Sequence, residues 1–296
     1  MNELLPTIGL TLGDAAGIGP EIIATALKSG RLNKKFQYRV IGSAHGVKPG
    51  EPNESTARAA REALEESARL ALAGEIVAVV TGPIHKARMQ TIGFEFPGQT
   101  EFYAARAKEE NFAMCLTGGA LTVALVTAHI PLRTVAESLS SSEIIRVGHL
   151  LADFLHQRHG RKPRLAVAGL NPHAGESGAL GREEIELIEP AVALLRGELG
   201  ETAECTGPIS PDTVFHRAAG GEFDGVLCMY HDQGLIPLKL HAFDSGVNVT
   251  LGLPFARTSP DHGTAFEIAG KGIARPDSMI AAINLAAELA GKKAQS

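Results

Sequence analysis

The 296-residue sequence has no tryptophan, three cysteines and only 5% aromatic residues. Cys115, Cys205 and Cys228 are odd in number and widely spaced, with no CxxC pair. That excludes a disulfide framework and a cysteine-based zinc site, and it suits reduced thiols in a cytosolic protein. No apolar run approaches the roughly 18 residues that a membrane span needs. The opening MNELLPTIG carries an early Glu and a Pro, has no cationic stretch, and does not read as a signal peptide. Positive charge is also short: the net charge of −5 gives no reason to expect nucleic acid or an anionic membrane as partner. The expectation is a soluble, cytoplasmic protein that handles a small molecule. An anionic substrate would have to be held by local cations working against the global field.

What is present is a rhythm. Apolar runs at 7–12, 37–42, 76–80, 121–127, 164–170, 224–230 and 246–251 alternate with segments of helical period at 54–74, 182–199 and 277–291. Near-continuous apolar strands indicate burial on both faces, as in a mostly parallel sheet covered by helices. The pattern predicts a doubly wound α/β fold. The stretch 43–55 is rich in Gly, Pro and Ser and reads as a surface loop.

In such sheets ligands gather at the carboxyl ends of strands. After the first strand comes 13-GDAAGIGPEI-22, a tight turn with Pro20 suited to a first helical turn. It is neither a GxGxxG fingerprint nor a P-loop. Three other strand ends each present an imidazole: His129, His173 and His231. Neutral imidazoles from adjacent strand ends can share one divalent cation, zinc, cobalt or manganese, with a position left open for chemistry. Asp232, next to His231, is a candidate to orient that ring or to act as a base. Lys239, Asn248 and Arg257 supply cations and an amide suited to a phosphate or carboxylate. The stretch 261-DHGTAFEIAGKGIARP-276 reads as a ligand loop, and Thr100 in 97-PGQTEF-102 as a helix cap.

Taken together, GDAAGIGPEI, TGPIHKA, PGQTEF, GLNPHAGESG, MYHDQGLIPLK and GVNVTLGLPFARTSPDHGTAFEIAGKG resemble the 4-hydroxythreonine-4-phosphate dehydrogenase family. The ligand loop also resembles the adenosine-side loop of the isocitrate and isopropylmalate dehydrogenase superfamily. The resemblance implies two α/β domains with an active-site cleft between them. The expected split is 1–98 plus 254–296, carrying both termini, and 99–253, carrying the metal ligands and dimer interface. It implies a homodimer that oxidises 4-phosphooxy-L-threonine at C3 with NAD and a divalent metal, zinc foremost, with magnesium, manganese or cobalt as alternatives. Decarboxylation to 3-amino-2-oxopropyl phosphate would follow, within pyridoxal phosphate biosynthesis.

On that resemblance His129, His173 and His231 are the metal ligands. Gln99, Thr100, Lys239, Asn248 and Arg257 contact the substrate, with Asp232 and Lys239 as catalytic groups. Gly13, Asp14, His262, Gly263 and Thr264 are cofactor residues. The chain departs from the family twice. Gln99 stands where the family usually has His, and a stretch is missing between Gly42 and Glu54. Dehydrogenases of a four-carbon sugar-acid phosphate or an aromatic cis-dihydrodiol carboxylate are the nearest alternatives. A zinc hydrolase using the same histidines is a more distant one.

Overall fold

The computed structural model describes residues 5–293. In chain order the first elements are β1 (Thr7–Thr11), α1 (Gly19–Lys28), β2 (Gln37–Ile41), α2 (Glu54–Leu72), β3 (Ala78–Thr81), α3 (Lys86–Thr91) and α4 (Gln99–Ala107). Then come β4 (Ala113–Gly118), β5 (Leu121–Leu125), α5 (Val135–Ser138), α6 (Ser141–His159), β6 (Arg164–Ala168), α7 (Glu189–Leu199) and β7 (Glu204–Ile209). The last are α8 (Pro211–Ala219), β8 (Gly225–Cys228), α9 (His231–Ala242), β9 (Val247–Leu251), β10 (Ala256–Pro260) and α10 (Asp277–Lys293). They group into two compact units, residues 1–110 with 247–296, and 111–246. Residues 99–110 and 247–253, expected in the second domain, are grouped here with the first.

In the first unit the strand order is β2-β1-β3-β10-β9. β1 runs parallel to β2 and β3, and β3 to β10, while β9 pairs antiparallel with β10. Neighbouring residues on a strand face opposite ways. On β10, Thr258 Oγ1 donates to Ala282 O of α10 (2.8 Å), whereas Arg257 turns to Thr100 of α4. Helices therefore cover both faces of this sheet. α2 starts where the sequence places it, because Asn53 and Thr56 form a reciprocal cap. Its buried face is mostly alanine, with Leu64 and Leu70, and this lets it lie close over Val79 and the aromatic pair Phe102–Tyr103. Removing Leu64 to Ala would cost about 2–5 kcal/mol.

In the second unit the order is β4-β5-β8-β6-β7, parallel except for the β4–β5 hairpin. The core between its strands and helices is apolar, with Leu116, Val123, Ala166, Val226 and Leu238 fully buried. The antiparallel pair in each unit makes the sheets mixed. A two-residue turn, Gly119–Ala120, is too short for a helical crossover, so β4 and β5 must run antiparallel. All seven strands read from the sequence are present; β4, β7 and β10 are additional. Among the described residues no helix is long and apolar enough to cross a membrane.

Candidate active site

The first unit concentrates buried polar groups around Arg257, which is only 2% exposed. Its Nη2 donates to Thr81 Oγ1 at 2.6 Å and to Gln99 Oε1 at 3.2 Å. Its Nη1 reaches Thr250 Oγ1 at 3.4 Å and Thr100 Oγ1 at 3.5 Å. The guanidinium also lies 5.7 Å from the centre of the Tyr103 ring. All of these partners are uncharged. Burial pulls the guanidinium down from its ordinary value to about 10, against smaller upward pulls from Tyr103 and Glu101. Two buried polar atoms here have no partner, Arg257 Nε and Asn248 Oδ1. A buried cation ringed by neutral acceptors is a costly arrangement that an anion would relieve.

Gln99 is held at both ends of its amide. Oε1 accepts from Arg257, and Nε2 donates to Gly82 O at 3.1 Å. Thr100 is not the cap of α4, as its position suggested: Gly98 takes that place. The helix begins two residues earlier than expected, which frees the Thr100 hydroxyl to face Arg257 and Thr250 (3.3 Å).

The turn after β1 lies against the turn after β3. Asp14 N donates to Pro83 O (2.9 Å), and a Cβ on Gly13 would sit 2.2 Å from that same oxygen. Gly13 is glycine because of this approach and its positive φ of 70°. Asp14 is buried, and its carboxylate accepts from Ala16 N at 3.1 Å. Thr264 O accepts from Ile18 N (2.9 Å), joining the ligand loop to the start of α1. At His262 the buried Nε2 has no partner, and a side chain at Gly263 would point into open space. An orphaned nitrogen beside an open glycine fits a nicotinamide nucleotide laid against this loop.

In the second unit the strand order puts the carboxyl ends of β5, β8 and β6 side by side. Each of these ends leads into one of the three histidines. The turns are tied together. Thr127 Oγ1 donates to Met229 O at 2.7 Å, and the buried Gln233 amide bridges Met229 N (2.7 Å) and Gly169 O (2.6 Å). Sequence reasoning passed over Gln233, although it directly follows the noticed Asp232 in the first turn of α9. His129 and His231 face each other with ring centres 5.6 Å apart, lining a pocket with Tyr230, Asp232 and Leu132. His231 Nδ1 is 2.6 Å from Asp232 Oδ1, which leaves Nε2 as its nitrogen for a ligand. Lys239 sits in the last turns of α9.

His173 is presented differently. Six consecutive residues, His173 to Gly178, have φ between 43° and 91°. Left-handed backbone costs about 1–2 kcal/mol for each residue other than glycine. His173, Ala174, Glu176 and Ser177 therefore impose a strain of several kcal/mol on the turn. The imidazole at its start is exposed. Asp212 titrates low through its Ser210 hydrogen bond, with a smaller contribution from His173. Among the described residues no group of three or more His, Cys, Asp or Glu stands together as a metal cage. The expected trio thus appears as a facing pair and an exposed third ring. As neutral imidazoles with a carboxylate steering one of them, the donors fit a divalent cation in kind.

Comparison with known proteins decides the family. A family model described as pyridoxal phosphate biosynthetic protein PdxA matches residues 15–286. The chain belongs to the PdxA family. It is an enzyme, an oxidoreductase. A Caulobacter vibrioides protein named 4-hydroxythreonine-4-phosphate dehydrogenase is 44% identical over 97% of this chain and 98% of its own. The crystal structure of the Klebsiella pneumoniae protein of that name has a TM-score of 0.82 and 36% identity, covering 96% of this chain and 99% of that one. A terephthalate 1,2-cis-dihydrodiol dehydrogenase from Burkholderia xenovorans follows at a TM-score of 0.69 and 26% identity, covering 96% and 98%. Isocitrate dehydrogenase from Methylococcus capsulatus, at 16% identity and a TM-score of 0.52, shares the fold alone. The Caulobacter alignment runs to 330 positions against 296 residues in this PdxA member, so the relative carries at least 34 residues without a counterpart here. The short path from β2 to α2 is where the sequence places that shortfall.

Proposed function

We propose that this chain oxidises 4-phosphooxy-L-threonine at C3 with NAD and a divalent metal, zinc foremost. Decarboxylation then leaves 3-amino-2-oxopropyl phosphate, in pyridoxal phosphate biosynthesis. The observation that carries this reading, beyond family membership, is the buried Arg257 guanidinium with only uncharged partners. A phosphate supplies the missing negative charge. The hydrogen-bond donors of an amino alcohol suit the unpartnered Asn248 Oδ1.

Arg257, with Thr100, grips the phosphate, so that binding energy far from the reacting carbon becomes alignment of C3. Gln99 serves by holding Arg257. His129, His173 and His231 hold the cation, and Asp232 fixes the nitrogen that His231 offers. Because Asp232 is committed to that ring, Lys239 is the remaining titratable group of the set for the C3 proton. Asp14, Gly13 and the loop His262–Thr264 receive the cofactor. When bound, NAD accepts the C3 hydride, and the cation draws electron density from the C3 oxygen during oxidation and CO₂ loss.

The active form is a homodimer. On α9, Ile236 (65% exposed), Leu240 (89%) and the following Phe243 (75%) form an apolar stripe at helical spacing. It starts five residues after His231 on the same helix, so a second copy seated there lies near the histidine pocket. The three buried, unpaired thiols suit the cytoplasm.

The reading is tested by following NAD reduction with three substrates at equal metal: 4-phosphooxy-L-threonine, a four-carbon sugar-acid phosphate and an aromatic cis-dihydrodiol carboxylate. The first should have the highest kcat/KM by about 100-fold, because the sugar-acid phosphate lacks the amino group and the dihydrodiol carboxylate lacks the phosphate. A second reading, with the dihydrodiol carboxylate on Arg257, is favoured by the neutral Gln99 and by the 26% identical structural relative. Preference for that substrate would replace the first reading. Ester or phosphate cleavage without NAD would establish a hydrolase instead.

A further inference from the structure

Glu184 is 1% exposed, lies on a single π-helical turn (Glu184–Ile188), and is outside every role assigned above. Its Oε1 accepts from the backbone N–H of Leu170 (2.7 Å) and of Asn171 (2.8 Å). Its Oε2 accepts from Asn171 Nδ2 at 3.0 Å. The carboxylate is therefore spent on the two residues that join β6 to the left-handed turn. It also occupies the space beside that turn. A Cβ on Gly175 would come within 2.6 Å of Oε2, and one on Gly169 within 3.1 Å of Oε1. Gly169 is gripped from the other side by Gln233, through its carbonyl. A run of left-handed residues persists only where its surroundings over-determine it. Here the over-determining group is a buried carboxylate whose hydrogen bonds go to residues 170 and 171 rather than to His173.

We propose that Glu184 is a positioning residue: it clamps the backbone at 170–171 and holds the left-handed turn that presents the His173 imidazole to the metal site. The inference rests on the reading of His173 as a metal donor. Glu184 acts through the backbone N–H groups of Leu170 and Asn171 and the Asn171 side chain, so its loss should matter through His173 and through no other site residue.

The test uses the full-length protein stripped of metal, with the variants Glu184→Gln, Glu184→Asp, Gly175→Ala, His173→Ala and the double variant His173→Ala/Glu184→Gln. Hydrogen exchange is followed across 170–180, and Co²⁺ is titrated by its visible absorption. Glu184→Gln should speed exchange in that window at least tenfold without a change elsewhere, and should weaken Co²⁺ binding by about 10–100-fold. In the His173→Ala background it should weaken Co²⁺ binding no further. Glu184→Asp, which keeps the charge on a shorter arm, should recover part of the affinity. If Glu184→Gln does not fold, Glu184→Asp and Gly175→Ala carry the same readings. Unchanged exchange, or an equal Co²⁺ loss with and without His173, overturns the proposal. Wild-type Co²⁺ binding by His173→Ala alone overturns the donor reading, and the exchange data then still decide whether Glu184 holds the turn.

Discussion

The anion cluster of the first unit and the histidine-bearing strand ends of the second solve opposite problems. Arg257 is closed in by Thr81, Gln99, Thr100 and Thr250 and needs only a counter-charge to be complete. His129, His173 and His231 are half-buried or exposed, two facing one another and the third carried on strained backbone. One region stores its cost as a buried charge, the other as left-handed φ angles. Both costs fall on groups that a ligand would contact, where strain and poor solvation are retained for function. The contrast teaches that the grip for the unreacting end of a substrate can be rigid and finished in a single chain. On the proposed reading the reacting end is left open, for a metal and a second copy to complete.

The sharpest way to break this comparison is to remove a ring from the open region. His231→Ala should lower kcat/KM by at least about 1,000-fold, the scale lost with a metal's electrostatic contribution. Thermal melting should move little, because the ring is partly exposed. NADH absorbance and calorimetry check the two halves. A comparable loss of stability would mean that the histidine turn is structural.

Arg257→Met tests the closed region. Here kcat/KM should fall about 100-fold or more, mostly through KM, since the lost contact is far from the chemistry. Stability should hold or rise, because an uncompensated buried charge is replaced by an apolar chain of similar length. Arg257→Lys should recover only part of the activity, a compact ammonium being unable to reach both Thr81 and Thr250. Unchanged KM in Arg257→Met would remove the anion from this cluster.

The proposed dimer bears on why the open region is open. Leu240→Glu should convert the dimer to monomer in sedimentation velocity, each buried side chain of this kind contributing about 1.5–3 kcal/mol. Activity should fall with it. A monomer with full activity would show that one copy suffices.

The smallest effect lies away from both sites. Burial pushes Asp224 up, but hydrogen bonds from Arg161 and Arg164 outweigh it and hold the carboxyl well below the usual range. A carboxyl with a depressed folded pKa adds stability above its unfolded pKa of about 3.9, and the gain fades as pH falls below that value. Asp224→Asn should therefore cost about 2 kcal/mol at pH 7 and progressively less below pH 4, read from urea melts.

Strands and site were legible to different degrees. Buried apolar strands such as β1, β5 and β8 announce themselves by composition. β10 does not, because Ala-Arg-Thr-Ser-Pro is polar yet buried, its Arg257 being retained for the site. β7 was masked by Gly207 and Pro208, residues that usually mark a turn. α6 carried a signal that went unread, the Ser140 cap ahead of Ile144, Val147, Leu151 and Leu155 at helical spacing. The three histidines could be found because strand ends are recognisable and adjacent. The left-handed turn could not, since four of its residues before Gly178 are neither glycine nor asparagine and only tertiary contacts hold them. Glu184 was hidden for the same reason: two of its three partners are backbone N–H groups, which leave no trace in side-chain pattern.

The account's central claim is that an anion grip and a metal-held reacting centre act on one phosphorylated amino alcohol. The direct measurement is the yield of NADH and CO₂ from 4-phosphooxy-L-threonine, in chelator-treated enzyme before and after a divalent metal is restored. We predict neither product before restoration and equal amounts of both after it. NADH formed at full rate without metal, or no NADH from this substrate once metal is present, would contradict the account.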